Sequence, residues 1–476
     1  MKLDRSEAPP ASTRHSVLVA LLVAGAFFME NLDGTVIATA LPQMARSFGI
    51  GPIDLNMGMT AYMLTLAVFI PVSGWVADRF GARTVFASAI GVFTFASILC
   101  GLSNGLWQFT AARILQGIGG AMMVPVGRLV VLRITEKKDL MRSIAYITWP
   151  GLVAPILGPP AGGFITTYSS WRWIFFLNVP LGLIGIVLAM MWIVNDREHR
   201  PRPFDWLGFA LAGTACTAFM YSLELTGRES PQWTTIALFF GYSAAAGWLA
   251  VRHMHRTPHP LIEFDCLKVP TFAVSIWGGS LFRIAISVSP FLLPLLFQIS
   301  FGMTAFQSGL LVLAVFAGNL SMKPVTTPVL RRFGFKNVLL VNGVITTALI
   351  LCCGLLSPQT PRPVIVAVLF LHGLSRSMQF TSLITLAFVD IPKALMSSAS
   401  SFSAVVQQMS MGMGVAVGAV ALRAAAALRG HLSAIPALMD FHIAFGLVSV
   451  LALAAIFDCI PLDPNAGAEV SGHHAA

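Results

Sequence analysis

Long apolar runs alternate with short polar segments along the whole chain. A membrane-spanning helix needs about 20 mainly apolar residues. The pattern therefore predicts an all-α polytopic membrane protein with fourteen transmembrane helices. The seventh and eighth runs are shorter and richer in small residues. The predicted spans are 16–41, 55–77, 84–104, 107–132, 143–166, 173–195, 206–225, 234–251, 270–299, 305–329, 337–357, 363–388, 397–422 and 437–460.

Composition supports a membrane protein over a soluble one. Of 476 residues, 56% are hydrophobic and 11% are charged, whereas soluble domains carry about 25% charged residues. The net charge of +10 does not indicate nucleic acid, because the basic residues cluster between apolar runs. The six cysteines lack metal-site spacing, so we expect neither a bound metal nor a disulfide framework.

The distribution of Lys and Arg predicts the orientation. With the amino terminus in the cytoplasm, 19 basic residues fall in inside segments, 6 in outside segments and 5 within spans. Cytoplasmic loops carry such an excess of positive charge. We therefore expect fourteen helices in an inner (plasma) membrane, with both termini cytoplasmic.

A short internal repeat predicts the domain organisation. Residues 79–83 (RFGAR) recur as 332–336 (RFGFK), eight spans later and on the same membrane side. A parallel repeat about an axis along the membrane normal has this property. The predicted units are a cytoplasmic tail (1–14), a six-helix bundle (15–196), a linker with two additional helices (197–269), a second six-helix bundle (270–461) and a cytoplasmic tail (462–476).

Two acidic residues lie deep in the first span. Glu30 and Asp33 are three residues apart, so they share one face of a helix. An ionisable group near the bilayer centre costs about 2.5–3.5 kcal/mol on insertion scales. The pair, together with Asn31 between them, predicts a protonatable, substrate-facing transporter site. A structural polar contact between helices is the alternative.

The segment after the second span resembles motif A of the major facilitator superfamily. Its residues Gly74, Asp78, Arg79, Gly81 and Arg83 combine a tight turn with charge at the predicted cytoplasmic face. An ordinary charged turn would look similar. In the family, this motif latches the two halves in one conformation. Arg331 replaces the acid in the second copy, so the expected latch is asymmetric.

Two further segments carry the same resemblance. Arg113, inside the fourth span, is similar to the motif B arginine, which in the family is linked to proton transfer; a structural hydrogen-bonding role is the alternative. The fifth span resembles motif C, which marks antiporters, although a merely bent helix would also contain its prolines. The motif C residues are Gly151, Pro155, Gly158, Pro159, Gly162 and Gly163.

Over nearly its whole length the chain resembles the fourteen-helix drug:proton antiporter family (EmrB/QacA type), and most closely its MdtD/HsrA-like branch. Residues 32–35, 40–42, 119–129 and 171–182 carry the match. The resemblance implies two six-helix bundles plus two inserted helices, with a proton gradient as energy source and no cofactor. It also implies a coupling role for Asp33. Glu30 stands where the resemblance predicts a polar amide, so the question whether Glu30 is a second protonation site stays open.

Candidate substrate contacts come from polar residues in later spans. Arg283 and Arg376 lie inside helices of the second half, where no buried acid is available to pair with them. They motivate a rival prediction, in which the substrate is an anionic metabolite or a metal chelate. Trp149, Gln379, Gln407 and Gln408 are further candidates for the cavity wall, with helix packing as the alternative.

The sequence thus predicts a proton-coupled exporter of drugs or lipophilic compounds that works by alternating access. An enzyme would need a nucleophile–base pair or a metal cluster, and neither is evident, while a transporter-like receptor is the remaining alternative. The expected partners are a small-molecule substrate, protons and the lipid bilayer, without nucleic acid. We expect a monomer. The sequence does not decide whether a periplasmic adaptor and an outer-membrane channel are also partners.

Overall fold

The computed structural model describes residues 13–134, 140–194, 203–226, 232–258, 260–392, 395–430 and 436–467. Across these ranges the chain forms sixteen α-helices and no β-strand. In chain order they are α1 (Thr13–Val36), α2 (Leu41–Phe48), α3 (Asn56–Phe69), α4 (Val72–Phe80), α5 (Ala82–Leu102), α6 (Leu106–Ile134), α7 (Leu140–Tyr168), α8 (Trp173–Phe176), α9 (Asn178–Trp192), α10 (Trp206–Thr226), α11 (Trp233–Met254), α12 (Pro270–Leu295), α13 (Ala305–Gly354), α14 (Arg362–Val389), α15 (Met396–Leu428) and α16 (Leu438–Phe457).

The helix lengths are consistent with fourteen membrane crossings. In the described residues, eleven helices are long and apolar enough to span a bilayer, and α3 with α4 forms a twelfth span bent by 59°. Helix α7, with 29 residues, is also long enough to cross the bilayer once. Helix α13 has 50 residues, about 75 Å at 1.5 Å per residue, so it can cross a hydrocarbon core of about 30 Å twice.

The sequence repeat has a structural counterpart in two glycines. Gly81, between α4 and α5, has φ +89° and ψ 138°. Gly334 interrupts α13 with φ +74° and ψ 164°. A residue that has a Cβ atom rarely adopts this backbone conformation, whereas glycine adopts it readily. Gly334 therefore divides α13 into the two predicted spans, at the place where Gly81 divides their counterparts.

The two additional helices, α10 and α11, lie at the periphery of the protein. Only 11% of the most apolar window of α11 is buried inside the protein, against 83% for α12. Asp205 links the beginning of α10 to the end of α11 and to the segment after it. Its carboxylate accepts hydrogen bonds from the backbone N–H groups of Gly208 (2.8 Å) and Leu261 (3.1 Å) and lies 2.8 Å from His253 Nε2.

The two halves are packed together at the end of the molecule where α1 finishes, the predicted outer end. Gln298 Nε2 donates to the backbone carbonyl of Thr39 (3.0 Å), and Arg423 pairs with Asp54 (3.0 Å). Arg423 follows the predicted span 397–422, and in the structure it lies in the part of α15 beyond that span and is 5% exposed. These contacts join the two halves at that end.

We predict that Gly334→Ala and Gly81→Ala each destabilise the fold. A Cβ-bearing residue in this region costs about 1–3 kcal/mol, so the midpoint of thermal unfolding in detergent falls for both variants. Gly25→Ala is the matched control, because Gly25 is helical and a Cβ there meets nothing within 4 Å. An unchanged midpoint for Gly334→Ala would contradict the proposed role of this break.

Candidate functional site

Asp33 lies at the centre of a buried hydrogen-bond network in the first half. Its side chain is inaccessible and forms an ion pair with Arg113, whose Nη1 is 2.6 Å from Asp33 Oδ2. Oδ1 accepts hydrogen bonds from Gln116 Nε2 (3.0 Å) and Asn178 Nδ2 (3.0 Å). Three donors surround the carboxylate, and an ionised carboxylate only accepts hydrogen bonds. The geometry therefore suits ionised Asp33.

The network joins four helices. Ser97 Oγ on α5 accepts from Gln116 on α6 (2.9 Å) and from Asn178 on α9 (3.2 Å). Arg113 also donates to Gln116 Oε1 (2.6 Å), and its guanidinium lies 4.1 Å from the ring centroid of Tyr62. Arg113 therefore keeps a hydrogen-bond acceptor and an aromatic partner besides Asp33.

Sequence reasoning assigned no role to Ser97, Gln116 or Asn178. All three are polar residues inside apolar runs, and their side chains are fully or almost fully buried. Buried polar groups in a membrane are generally paired within the protein. That rule could have identified them as hydrogen-bond partners of another buried group, but it could not have shown that this group is Asp33.

Glu30 is outside the network. Asp33 and Arg128 are close enough to act on it electrostatically. Its Oε2 atom is buried and has no hydrogen-bond partner among the described residues. The two acids therefore occupy different surroundings, although they are three residues apart on α1.

A central cavity of about 200 Å³ lies between the two halves. Helix α1 contributes Asn31, Gly34 and Thr35 to its wall, Ala38 follows in the short 3₁₀ turn after α1, and further residues come from α3, α7 and α12 to α15. Asn31 thus faces the cavity as predicted. Asp33, predicted to face the substrate, instead points into the first bundle, because at about 3.6 residues per turn it lies on the opposite side of the helix from the cavity-lining residues 31, 34, 35 and 38. Glu30 is also absent from the cavity wall.

The cavity wall is electropositive. It contains Lys323 and Arg376 and, among the described residues, no Asp or Glu. Lys323 Nζ donates to Thr381 Oγ1 (3.0 Å). The guanidinium of Arg376 lies 5.9 Å from the ring centroid of Phe316, and its Nη1 atom is buried without a hydrogen-bond partner in the described part of the chain.

Two other substrate candidates lie outside the cavity wall. Arg283 is 1% exposed and donates from Nη1 to the backbone carbonyl of Ser275 (3.0 Å) within α12. Gln379 is fully buried and accepts a hydrogen bond from Asn342 (2.8 Å), which joins α13 to α14. Both were predicted as substrate contacts, and neither lines the central cavity in the structure.

Gln407 and Gln408 are not brought into the cavity wall either. Gln407 and Gln408 are half-buried on α15, where Met411, one turn further along, does line the cavity. The side chain of Trp149 lies outside the described residues. Within the described ranges, no three His, Cys, Asp or Glu residues are grouped to hold a metal ion.

The motif C residues pack α7 between α1 and the second half. A Cβ added to Gly158 would lie 2.1 Å from Thr35 Oγ1 on α1, and one added to Gly163 would lie 2.4 Å from the carbonyl oxygen of Ala305 on α13. Pro155 and Pro159 line the cavity. Gly151 and Gly162 also approach α1 closely. A small residue is therefore required on both sides of α7.

The motif A residues lie beside the linker between the halves. Gly74 and Asp78 line a surface cavity of about 440 Å³, together with Asp205 and Glu263 of the linker. The other members surround the turn: Arg79 stacks 5.4 Å from the Trp75 ring, Gly81 forms the turn, and Arg83 follows on α5. The motif is therefore placed where the linker meets the first bundle.

Comparisons with known proteins agree with this architecture. Residues 23–415 match the family model of the Major Facilitator Superfamily. The chain is 36% identical to MdtD of Salmonella paratyphi A over 419 residues, covering 87% of each chain, and 36% identical to MdtD of Escherichia coli O6:H1 over 418 residues, again covering 87% of each. Both relatives are named for multidrug resistance.

Solved structures show the same fold at low identity. A D-xylose–proton symporter superposes with a TM-score of 0.66 at 14% identity, covering 96% of this chain and 99% of its own. A POT family peptide transporter gives 0.67 at 15% identity, covering 94% and 97%. Together with the family match and the many membrane-spanning helices, these findings show that this multi-pass membrane protein belongs to the Major Facilitator Superfamily.

Proposed function

We propose that the protein is a proton-coupled efflux antiporter that exports small molecules across the inner membrane by alternating access. Drugs and other lipophilic compounds are the first substrate class, supported by the multidrug-resistance names of relatives at 36% identity. The glycines and prolines of α7, which resemble the antiporter motif, support the direction of transport. In this proposal the protein is a monomer, and both of its termini are in the cytoplasm.

The observation that carries this proposal is the buried Asp33–Arg113 ion pair behind the cavity-facing strip of α1. An ionisable residue inside a membrane bundle marks a proton or ion pathway by default. Asp33 is held by donors from α6 and α9, so its charge state bears on how α1 is anchored.

In the proposed cycle, one proton from outside binds Asp33 and neutralises it. Arg113 then loses its ionic partner but keeps Gln116, so α1 is released from α6 and the cavity changes shape. The same proton leaves to the cytoplasm in the other conformation. Breaking a buried ion pair costs about 3–5 kcal/mol. Shifting a two-state population from 1:99 to 99:1 needs about 5.5 kcal/mol, so losing the pair on protonation destabilises the conformation that holds it by most of that amount.

Glu30 is proposed as a second protonation site. It has a buried carboxylate oxygen without a hydrogen-bond partner in the described residues, and Asp33 acts on it electrostatically.

We predict that Asp33→Asn abolishes proton-driven transport of tetraphenylphosphonium in proteoliposomes, because the amide cannot bind or release the proton. Energy-independent counterflow of the same cation is retained, since Asp33 does not line the cavity. Asp265→Asn, which removes an exposed acid paired with Lys268, is the matched control and keeps full coupling. Uphill transport by Asp33→Asn with an unchanged pH optimum would exclude Asp33 as the coupling group.

A second candidate function is export of anionic metabolites or metal chelates. The specific observation in its favour is the cavity wall, which contains Lys323 and Arg376 and no acid among the described residues. A fixed positive charge in a low-dielectric cavity attracts an anion and disfavours a cation. The arginine offers planar, two-point recognition of a carboxylate.

We predict that, if this second function holds, citrate exchange with and without iron falls at least about tenfold in Arg376→Gln, the effect of losing about 1.4 kcal/mol of binding. Lys323→Gln has a similar effect. Arg283→Gln serves as the matched control, because Arg283 is a buried arginine outside the cavity wall. Equal citrate exchange by wild type and Arg376→Gln, together with tetraphenylphosphonium transport, would reject the anion site.

A further inference from the structure

A crevice of about 820 Å³ separates the inserted pair α10 and α11 from α12, α15 and α16 of the second half. Helix α15 lies between this crevice and the central cavity: Met409 and Met413 face the crevice, while Met411 faces the cavity. Trp277 and Phe457 line the crevice and are 66% and 67% exposed, so it opens towards the surrounding bilayer. This peripheral crevice is therefore distinct from the proposed transport site.

One carboxylate lies in the wall of the peripheral crevice. It belongs to Asp458, the residue that directly follows α16. The backbone N–H of Gly278 on α12 donates to Asp458 Oδ2 (2.7 Å), and a Cβ added to Gly278 would lie 2.8 Å from the same oxygen. The described part of the chain supplies this single hydrogen bond to the carboxylate. Because an ionised carboxylate has about four acceptor sites, most of them are free for a ligand.

Two hydroxyls in the wall of the crevice also act as acceptors. Ser280 Oγ donates its hydrogen to the backbone carbonyl of Ile276, and Ser410 Oγ donates to that of Val406 (2.7 Å). A hydroxyl has one hydrogen and two lone pairs, so each serine can only accept a hydrogen bond from a ligand. The described residues that line the crevice include no Lys, Arg or His. The complementary ligand group is therefore a cation that carries N–H hydrogens.

The depth of the crevice matches one leaflet of a membrane. On α15 its wall extends from Phe402 to Met413, which is roughly 16 Å at 1.5 Å per residue. Half of a hydrocarbon core of about 30 Å is about 15 Å. Asp458 lies at the predicted cytoplasmic end of α16, so the carboxylate is at the membrane surface and the apolar wall extends towards the bilayer centre. This arrangement suits the head group and one acyl chain of a lipid.

We propose that the peripheral crevice binds a phospholipid with a primary ammonium head group, phosphatidylethanolamine, from the leaflet on the predicted cytoplasmic side. The ammonium donates to Asp458, and one acyl chain fills the gap between the inserted helix pair and the second half. The volume of the crevice lies within the range of ligand sites. This inference does not depend on which substrate the central cavity carries.

The test compares two photoreactive lipids with the same diazirine-bearing acyl chains, one a phosphatidylethanolamine and the other a phosphatidylcholine. Each is added in the same trace amount to nanodiscs of phosphatidylglycerol that contain the full-length protein, and labelled peptides are mapped by mass spectrometry. The choline head has the same charge but no N–H. We therefore expect the ethanolamine probe to label the crevice-lining segments of α12, α15 and α16 about tenfold more, which corresponds to about 1.4 kcal/mol of binding.

Three variants test the role of the carboxylate. Asp458→Asn removes the charge but keeps an oxygen that can accept from Gly278, and we expect labelling by the ethanolamine probe to fall about tenfold, to the level of the choline probe. Ala454→Trp, at an exposed position in the crevice one turn before Asp458, lowers this labelling with the carboxylate intact. Asp463→Asn is the matched control and leaves labelling unchanged, because Asp463 is an exposed acid outside the crevice that also accepts a backbone N–H, from Asn465 (2.7 Å).

Three results would contradict the proposal. The first is equal labelling of the crevice by the two probes in the wild-type protein. The second is undiminished labelling by the ethanolamine probe in either Asp458→Asn or Ala454→Trp. The third is an excess of ethanolamine labelling confined to α9, which does not line the crevice. Each of them would overturn the assignment of a head-group-selective lipid site.

Discussion

A carboxylate buried where no water reaches it must be satisfied by the protein alone, and the first bundle is arranged around that requirement. Asp33 receives hydrogen bonds from Arg113, Gln116 and Asn178, so α1, α6 and α9 converge on one group. Well-packed apolar residues could have stabilised the bundle equally well, whereas removal of one charge from such a pair is strongly destabilising. The pair therefore suits a switch better than a structural brace.

Close packing through glycines can carry a movement of α1 to the second half. Thr35 is two residues after Asp33, on the other side of α1, and packs against α7 at Gly158. Further along the same helix, Gly163 contacts Ala305 of α13. Backbones in contact cannot shift independently, because interiors are densely packed. A rearrangement at the ion pair thus has a continuous physical route through α7 to α13 of the second half.

The fold was predictable because span length and loop charge are properties of the sequence itself, and Gly81 and Gly334 mark the repeat. The site was predictable only in part. Asp33 and Arg113 stand out as charges inside apolar runs, but α1 is apolar on nearly all sides, so nothing local fixes which face meets the cavity. The same limit applies to the second half, where packing decides that Arg376 lines the cavity and Arg283 does not.

The orientation of Asp33 constrains how transport can be coupled to protons. A cationic drug in the central cavity meets Lys323 and Arg376, whereas the carboxylate of Asp33 is turned into the first bundle and occupied by Arg113. Direct competition between drug and proton for Asp33 would need α1 to rotate. Coupling through the position of α1 needs no contact between substrate and carboxylate. A mechanism of this kind works for cations, neutral compounds and anions alike, so the charge of the cavity wall can set selectivity independently of proton coupling.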